Sequence, residues 1–100
     1  MLIFIAVGHI KPDKMNQALE AVQAYMPKIR TEPGTLEYII YRGVDDPNMI
    51  AFFEKYQDQD AQAAHGSTEE NEAFLQALIP CIDGQPVMSI VEEVASKKHP

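Results

Sequence analysis

Three polar side chains in the second half of the sequence belong to types that act on small organic molecules. His65 carries an imidazole, whose ordinary pKa near neutrality suits a general base. Tyr56 and Asn71 carry groups that donate hydrogen bonds to a substrate oxygen. Each also has a structural interpretation: His65 as the cap of a short helix, Tyr56 as a packed strand aromatic, and Asn71 as a solvated helix residue. The residue types therefore predict a candidate site and leave its role open.

Two phenylalanines and a glutamate precede Tyr56 in one strand-like segment. Neighbouring residues of a strand face opposite sides, so one of Phe52 and Phe53 is predicted to form a wall of the site, and the sequence does not decide which. Glu54 is expected to pair with Arg42 across a hairpin rather than to orient a group in a pocket.

The first third of the chain predicts a strand followed by a helix. Residues 2–10 are rich in β-branched and apolar side chains, and Pro12 ends the run. Beyond it, apolar residues recur every three or four positions, as in an amphipathic helix. The recurring residues are Met15, Ala18, Leu19, Val22, Met26 and Ile29. Pro33-Gly34 then ends this element.

Three further strands are predicted. Residues 36–42 and 49–56 flank an Asp-Asp-Pro-Asn turn at 45–48, which indicates a hairpin. The last strand is predicted at 87–94, after a Gly-Gln-Pro turn at 84–86.

Two short helices are predicted between the third and the fourth strand. Asp58 or Asp60 can cap the first, which ends near His65-Gly66, and Ser67 is predicted to begin the second. The order strand, helix, strand, strand, helices, strand predicts an α+β, ferredoxin-like βαββαβ fold, with a four-stranded antiparallel sheet and helices on one face.

The predicted strands are apolar on both faces. In the first strand, Ile3, Ile5 and Val7 alternate with other apolar residues, and the second and third strands show the same pattern. Helices cover one face only, so the other would be a large exposed apolar patch, which usually marks an interface. We therefore predict a homodimer that pairs through its open sheet faces.

Composition excludes several classes of protein. The net charge of −7 disfavours nucleic-acid binding, which needs clustered Lys and Arg. Cys81 is the only cysteine, so no intramolecular disulfide forms, and it is expected to be a buried apolar residue. The N-terminal apolar run lacks a basic region and is far shorter than the roughly 20 residues of a membrane span. A cytoplasmic protein without membrane contact is predicted. No metal-ligand cluster, phosphate loop or serine elbow is visible, which predicts no bound metal or cofactor and fits a non-enzyme equally well.

Five segments in order carry a resemblance to a known family: EPGTLEY, RGVDDPN, FFEKY, AAHGS and NEAFLQALIP. With this spacing the chain resembles the antibiotic biosynthesis monooxygenase family, whose members form dimeric α/β barrels. The resemblance implies one such domain over residues 1–95 and leaves 96–100 as a disordered tail.

The resemblance implies a cofactor-independent monooxygenase that oxidises a quinol-like or polyphenolic small molecule with molecular oxygen. The alternatives are a non-catalytic dimeric module that binds a small molecule, and an isomerase or degradative enzyme acting on a small signalling metabolite. The haem-degrading branch is the least similar, because it uses a Trp and this sequence has none.

The resemblance also implies roles for single residues. His65 matches the family's histidine after the third strand and is the expected base, while Tyr56, Asn71, Phe52 and Phe53 are the expected substrate-binding residues. The chain departs from the family pattern at Tyr56, where Trp is common, and at Glu70 and Asn71, where His and an aromatic are common. The pocket is expected between the sheet and the helices, where the two short helices meet.

Overall fold

The computed structural model of the protein describes residues 1–99. Its strands and helices are β1 (Leu2–Ile10), α1 (Met15–Ile29), β2 (Thr35–Arg42), β3 (Met49–Tyr56), α2 (Gln59–Gly66), α3 (Glu69–Leu78) and β4 (Ile82–Val91). Single turns of 3-10 helix at Pro12–Lys14 and Ile79–Cys81 precede α1 and β4. The predicted element order is therefore confirmed.

The four strands form one antiparallel sheet in the order β2-β3-β1-β4. In its middle Ala6 of β1 lies opposite Phe52 of β3, which lies opposite Ile40 of β2. The helices pack on one face of this sheet. This arrangement confirms the ferredoxin-like α+β fold.

The core lies between α1, α3 and the helix-covered face of the sheet. The buried stripe of α1 consists of Met15, Ala18, Val22, Tyr25 and Ile29. Tyr25 belongs to it because it follows Val22 by three positions and precedes Ile29 by four. Cys81 is fully buried in the same core, as predicted.

Side chains cap both short helices. Asp58 caps α2, and its Oδ1 accepts a hydrogen bond from the Ala61 N–H at 2.9 Å. The cap of α3 is Thr68, whose hydroxyl accepts from the Asn71 N–H at 3.0 Å, so the predicted start at Ser67 is wrong by one residue. Thr68 has the extended backbone that an N-cap needs, whereas Ser67 still closes α2.

The last strand begins earlier than predicted. β4 starts at Ile82, and the predicted turn at 84–86 lies inside it as an irregularity, where the register against β1 shifts. Gly84 has φ +80°, so the chain takes up an extra residue there without leaving the sheet. Beyond β4 no regular element follows up to residue 99, and Lys98 pairs with Glu93 at 3.0 Å. Of the tail predicted at 96–100, Pro100 lies outside the described residues.

The sheet face turned away from the helices is apolar and open in the single chain. Ile5, Val7 and Ile39 are each 37% exposed on it. The two-sided apolar character of the strands is thus present, and the homodimer inferred from it stays a prediction. Among the helices of residues 1–99, none is long and apolar enough to cross a membrane.

Candidate functional site

A cavity of about 360 Å³ lies between the helix-covered face of the sheet and the helices α2 and α3. This volume is at the lower end of the range typical of small-molecule sites. Apolar side chains form most of its wall, among them Ile50, Phe52, Phe74, Leu75, Leu78 and Met88. The polar side chains on the wall are His9, Tyr38, Glu54, Gln62, His65 and Asn71.

The structure brings four of the five predicted site residues to this side of the sheet. His65, Asn71 and Phe52 line the cavity. Tyr56 is fully buried behind the wall, with its ring centre 5.3 Å from that of His65. Phe53 points to the opposite face of the sheet, because it alternates with Phe52 along β3.

A buried carboxylate holds His65 in place. Glu32 lies in the turn after α1, and its Oε1 is 2.6 Å from Nδ1 of His65. The same oxygen accepts a hydrogen bond from the Thr35 hydroxyl at 2.9 Å. Only 11% of the Glu32 side chain is exposed, and its Oε2 has no partner in the described part of the chain. His65 is therefore half of a buried acid–imidazole pair.

The other nitrogen of His65 faces Tyr25 of α1. Nε2 lies 3.2 Å from the Tyr25 hydroxyl, and that hydroxyl donates to Oδ1 of Asn71 at 2.9 Å. The amide nitrogen of Asn71 donates in turn to the Gly66 carbonyl at 3.0 Å. One chain of hydrogen bonds thus joins the end of α1, the end of α2 and the first turn of α3.

The partners in this hydrogen-bonded network determine which group donates each proton. The Gly66 carbonyl only accepts, so it fixes the Asn71 amide with Oδ1 toward Tyr25. The single hydroxyl proton of Tyr25 then goes to Asn71, and Nε2 of His65 is the donor to the Tyr25 oxygen. Nδ1 of His65 forms its hydrogen bond with Oε1 of Glu32. Both nitrogens of His65 are thus engaged within the protein.

The three tyrosines around the cavity are held in their neutral form. Burial raises the pKa of Tyr25, and the charge of Glu32 raises it further. Burial also raises the pKa of Tyr38 and of Tyr56, with the nearby Glu54 as the next cause in both cases. Each phenol therefore remains a hydrogen-bond donor well above neutral pH.

Glu54 does not make its predicted pair with Arg42. Its Oε1 accepts a hydrogen bond from the Tyr56 hydroxyl at 2.5 Å, and Arg42 Nε donates to the Pro47 carbonyl at 3.0 Å. The strand register explains the difference, because Glu54 lies opposite Tyr38 and Arg42 lies opposite Ile50. The prediction of a Glu54–Arg42 pair is wrong, and Glu54 belongs to the cavity wall.

Sequence reasoning missed three residues of the site: Glu32, Tyr25 and Tyr38. Tyr25 was detectable from its place on the apolar stripe of α1, and Tyr38 from its place on the Leu36–Ile40 side of β2. No local pattern marks Glu32, since its partner is 33 positions away. For metal ions the described chain offers no group of three His, Cys, Asp or Glu side chains.

The family model described as "Antibiotic biosynthesis monooxygenase" matches residues 1–77, which is most of the chain. The chain belongs to this family. The match includes Glu32, Glu54, His65 and Asn71, whereas Leu78 and Met88 of the cavity wall lie beyond it.

Individual relatives are distant. The Bacillus subtilis protein named "Putative monooxygenase YcnE" is 27% identical over 75 residues, which are 75% of this chain and 79% of that protein. A crystal structure described as antibiotic biosynthesis monooxygenase superposes with a TM-score of 0.87 at 25% identity, over 95% of this chain and 100% of the other. Rv0793 from Mycobacterium tuberculosis gives a TM-score of 0.85 at 16% identity, covering 97% of this chain and 98% of its own, and shows the fold alone.

Proposed function

We propose that this protein is a monooxygenase that oxidises a quinol-like or polyphenolic small molecule with molecular oxygen and without a bound cofactor. The observation that carries the proposal is the cavity, whose apolar wall is interrupted by a buried chain of donors built on His65. Membership of the monooxygenase family supports the reaction type. Flat aromatic walls and a few oriented polar groups suit a small hydroxylated ring.

The chemistry places two demands on such a cavity. Triplet oxygen reacts slowly with closed-shell molecules, so the substrate must first lose a phenolic proton and become electron-rich. The resulting anion must then be held in a dry site by fixed donors. In a quinol, one ring C–H becomes C–OH and the two O–H groups become carbonyls, and in an anthrone a CH₂ becomes a carbonyl. In both cases the substrate loses four electrons and a net two hydrogens, and O₂ supplies the inserted oxygen and the oxygen of one water. The substrate is thus the only reductant needed.

His65 is the proposed catalytic residue of this reaction. Glu32 orients His65 through Nδ1, and in this proposal Nε2 of His65 donates its hydrogen bond to the substrate oxygen in place of Tyr25. Such a group stabilises the phenolate that forms before oxygen reacts. Its role as the base that removes the proton, expected from the sequence, stays a prediction.

The proposal also gives roles to Phe52, Asn71 and Tyr56. Phe52 is the proposed aromatic wall, and Asn71 orients the donors. Tyr56 acts through Glu54, to which it donates, rather than by touching the substrate.

The open sheet face supports a homodimer as part of the proposal. Phe53 lies on this face with Ile5, Val7 and Ile39, and a second copy of the same face would cover it. The cytoplasmic location predicted from the lone Cys81 and the N-terminal apolar run stays a prediction.

Oxygen consumption tests the function directly. The purified protein is expected to consume oxygen with some members of a panel of hydroquinones, naphthalenediols and anthrones, above the rate of their spontaneous oxidation. Leu75→Trp, which fills the cavity from its exposed rim, should remove this activity, whereas Ile79→Trp on the same helix end, outside the cavity wall, should not. Tight binding of these compounds without oxygen uptake would identify a binding module and contradict the proposed function.

A further inference from the structure

Glu54 is the one carboxylate among the described residues that line the cavity. Both nitrogens of His65 and both polar side-chain atoms of Asn71 are already engaged in hydrogen bonds. His9, at the rim, is bonded to Asp46 at 2.9 Å. Glu54 differs: a carboxylate offers about four acceptor positions, and the Tyr56 hydroxyl occupies one of them.

The surroundings of Glu54 make a carboxylate at this position unfavourable for the stability of the fold. It stands in the middle of β3 with Phe4 opposite on one side and Tyr38 on the other. Within residues 1–99 no Lys, Arg or His forms an ion pair with it. A half-buried carboxylate without a cation loses hydration that one hydrogen bond does not replace. Such groups in cavities are candidates for function.

We infer that Glu54 is a second catalytic residue, which accepts a hydrogen bond from a hydroxyl of the aromatic substrate and takes its proton. The inference rests on the proposed function. The proton moves from the substrate O–H to the Glu54 carboxylate, and the negative charge moves from the carboxylate to the phenolate. The net charge of the cavity is unchanged, so the step needs no counter-ion from solvent.

The groups next to Glu54 are consistent with its proposed role as proton acceptor. Tyr56 donates to Oε1 of Glu54 and holds that carboxylate in place, and burial keeps Tyr56 in its neutral, donating form. His65 lines the same cavity, and in the proposed function its Nε2 stabilises the phenolate after the proton has been transferred. Proton acceptor and anion stabiliser are thus separate residues, on β3 and α2.

This inference also names a substrate class. A carboxylate only accepts, so the cavity should prefer rings that carry an O–H donor over the same rings with that donor removed. 1,4-Dihydroxynaphthalene and 1,4-dimethoxynaphthalene make a matched pair of probes. Anaerobic calorimetry should show the diol binding at least tenfold more tightly to the native protein.

The decisive variant for the proton step is Glu54→Gln, which keeps the shape and removes the basic oxygen. Oxygen uptake with the diol should fall about 100-fold or more, the usual effect of removing a general base, with a small change in KM. Glu20→Gln, the same change at an exposed site on α1, should leave uptake unchanged. Undiminished uptake in Glu54→Gln would overturn the inference and leave the proposed function intact.

The pH profile gives a readout that a merely structural role of Glu54 would not change. Tyr56→Phe removes the donor that favours the ionised carboxylate, so the acid limb of the activity profile should move to higher pH. The other titratable groups around Glu54 are left in place by this variant: Tyr38 on β2, Tyr25 on α1, His65 on α2 with its partner Glu32, and His9 at the rim. An acid limb that stays at the same pH would contradict the assignment.

The binding measurements distinguish a failure of the Glu54 inference from a failure of the proposed function. The double variant Glu54→Met/Tyr56→Phe removes both partners together, which avoids an unpaired buried group, and should abolish the preference for the diol. If the native protein prefers the diol but consumes no oxygen, the proposed function fails and loss of the preference in the double variant still tests Glu54 as the acceptor. If neither probe binds to the native protein, both proposals are overturned.

Discussion

The two faces of the sheet are built from alternating residues of the same strands and have opposite characters. On the helix-covered face, Phe52 and Glu54 line a cavity beside the hydrogen-bonded His65. On the open face, Phe53 and Ile39 lie opposite each other in an apolar surface. A shift of one position along β3 therefore separates a polar site from a surface suited to packing.

The difference lies in what covers each face. Helices α2 and α3 bring His65 and Asn71 over the sheet, so a carboxylate on that side finds donors and a cavity. On the other face no helix of residues 1–99 packs, and only the segment after β4, with Glu93 and Lys98, lies beside Ile39 and Phe53. The two proposals, a catalytic site on one face and a dimer contact on the other, therefore concern opposite sides of one sheet and can be tested separately.

The largest expected effect concerns the buried tyrosines of the helix-covered face. The pKa of each of these tyrosines is raised in the folded protein above the value of about 10 that it has in the unfolded chain. The neutral tyrosines therefore stabilise the folded protein fully below about pH 10, and this contribution is lost as the pH rises above that value toward their folded-state pKa. Above pH 10 the free energy of unfolding should fall by up to about 1.4 kcal/mol per pH unit for each tyrosine. Urea unfolding across this range measures it, and Tyr56→Phe should reduce the slope. A stability unchanged up to pH 12 would contradict this account.

The second prediction compares two histidine–carboxylate pairs, one in the site and one at the surface. His65→Ala leaves Glu32 buried without its partner and should lower the free energy of unfolding by about 3 kcal/mol. His9→Ala breaks the exposed pair with Asp46 and should cost less than about 1 kcal/mol. Thermal and urea unfolding give both values.

A double-mutant cycle makes the comparison sharper. Glu32→Gln/His65→Ala should lose clearly less stability than the sum of its single changes, since no charge remains buried alone. A loss of only about 1 kcal/mol in His65→Ala would mean that the histidine acts as a helix-end group and not as half of a buried pair.

The third prediction concerns the open face. Ile39→Glu places a charge in the proposed dimer contact and should raise the dimer dissociation constant about 100-fold, which is close to 3 kcal/mol. Sedimentation at micromolar concentration measures the mass, with 11.2 kDa expected for the monomer. Val44→Glu, in the exposed hairpin loop, should remain dimeric like the native protein. A native protein that sediments as a monomer would remove the dimer from the proposal.

The smallest effect tests how α3 presents Asn71 to the cavity. Thr68→Ala removes the side-chain cap of α3 and should cost about 1 kcal/mol. Ser67→Ala changes the position that the sequence favoured as the cap. It should lower the free energy of unfolding by only a few tenths of the loss in Thr68→Ala, because the Ser67 side chain bonds within α2 alone. Equal losses in the two variants would show that α3 has no single capping residue.

The sequence by itself determined the order of the elements, the bounds of β3 and the two-sided apolar strands. These depend on local periodicity, which residues two or four positions apart express directly. It also named His65 and Asn71, which line the cavity, and left open which of Phe52 and Phe53 faces it. The early start of β4 was missed, because a bulge at Gly84 looks like a turn in the sequence.

Only the tertiary structure decided which groups meet His65. Glu32 comes from a turn 33 residues before it and Tyr25 from a helix 40 residues before it, and no periodicity links such distances. The structure likewise replaced the expected Glu54–Arg42 pair, since strand register, and not residue type, sets which side chains lie opposite each other. The physical reason is the same in both cases: long-range contacts follow from how the elements pack, and a local pattern does not encode the partner.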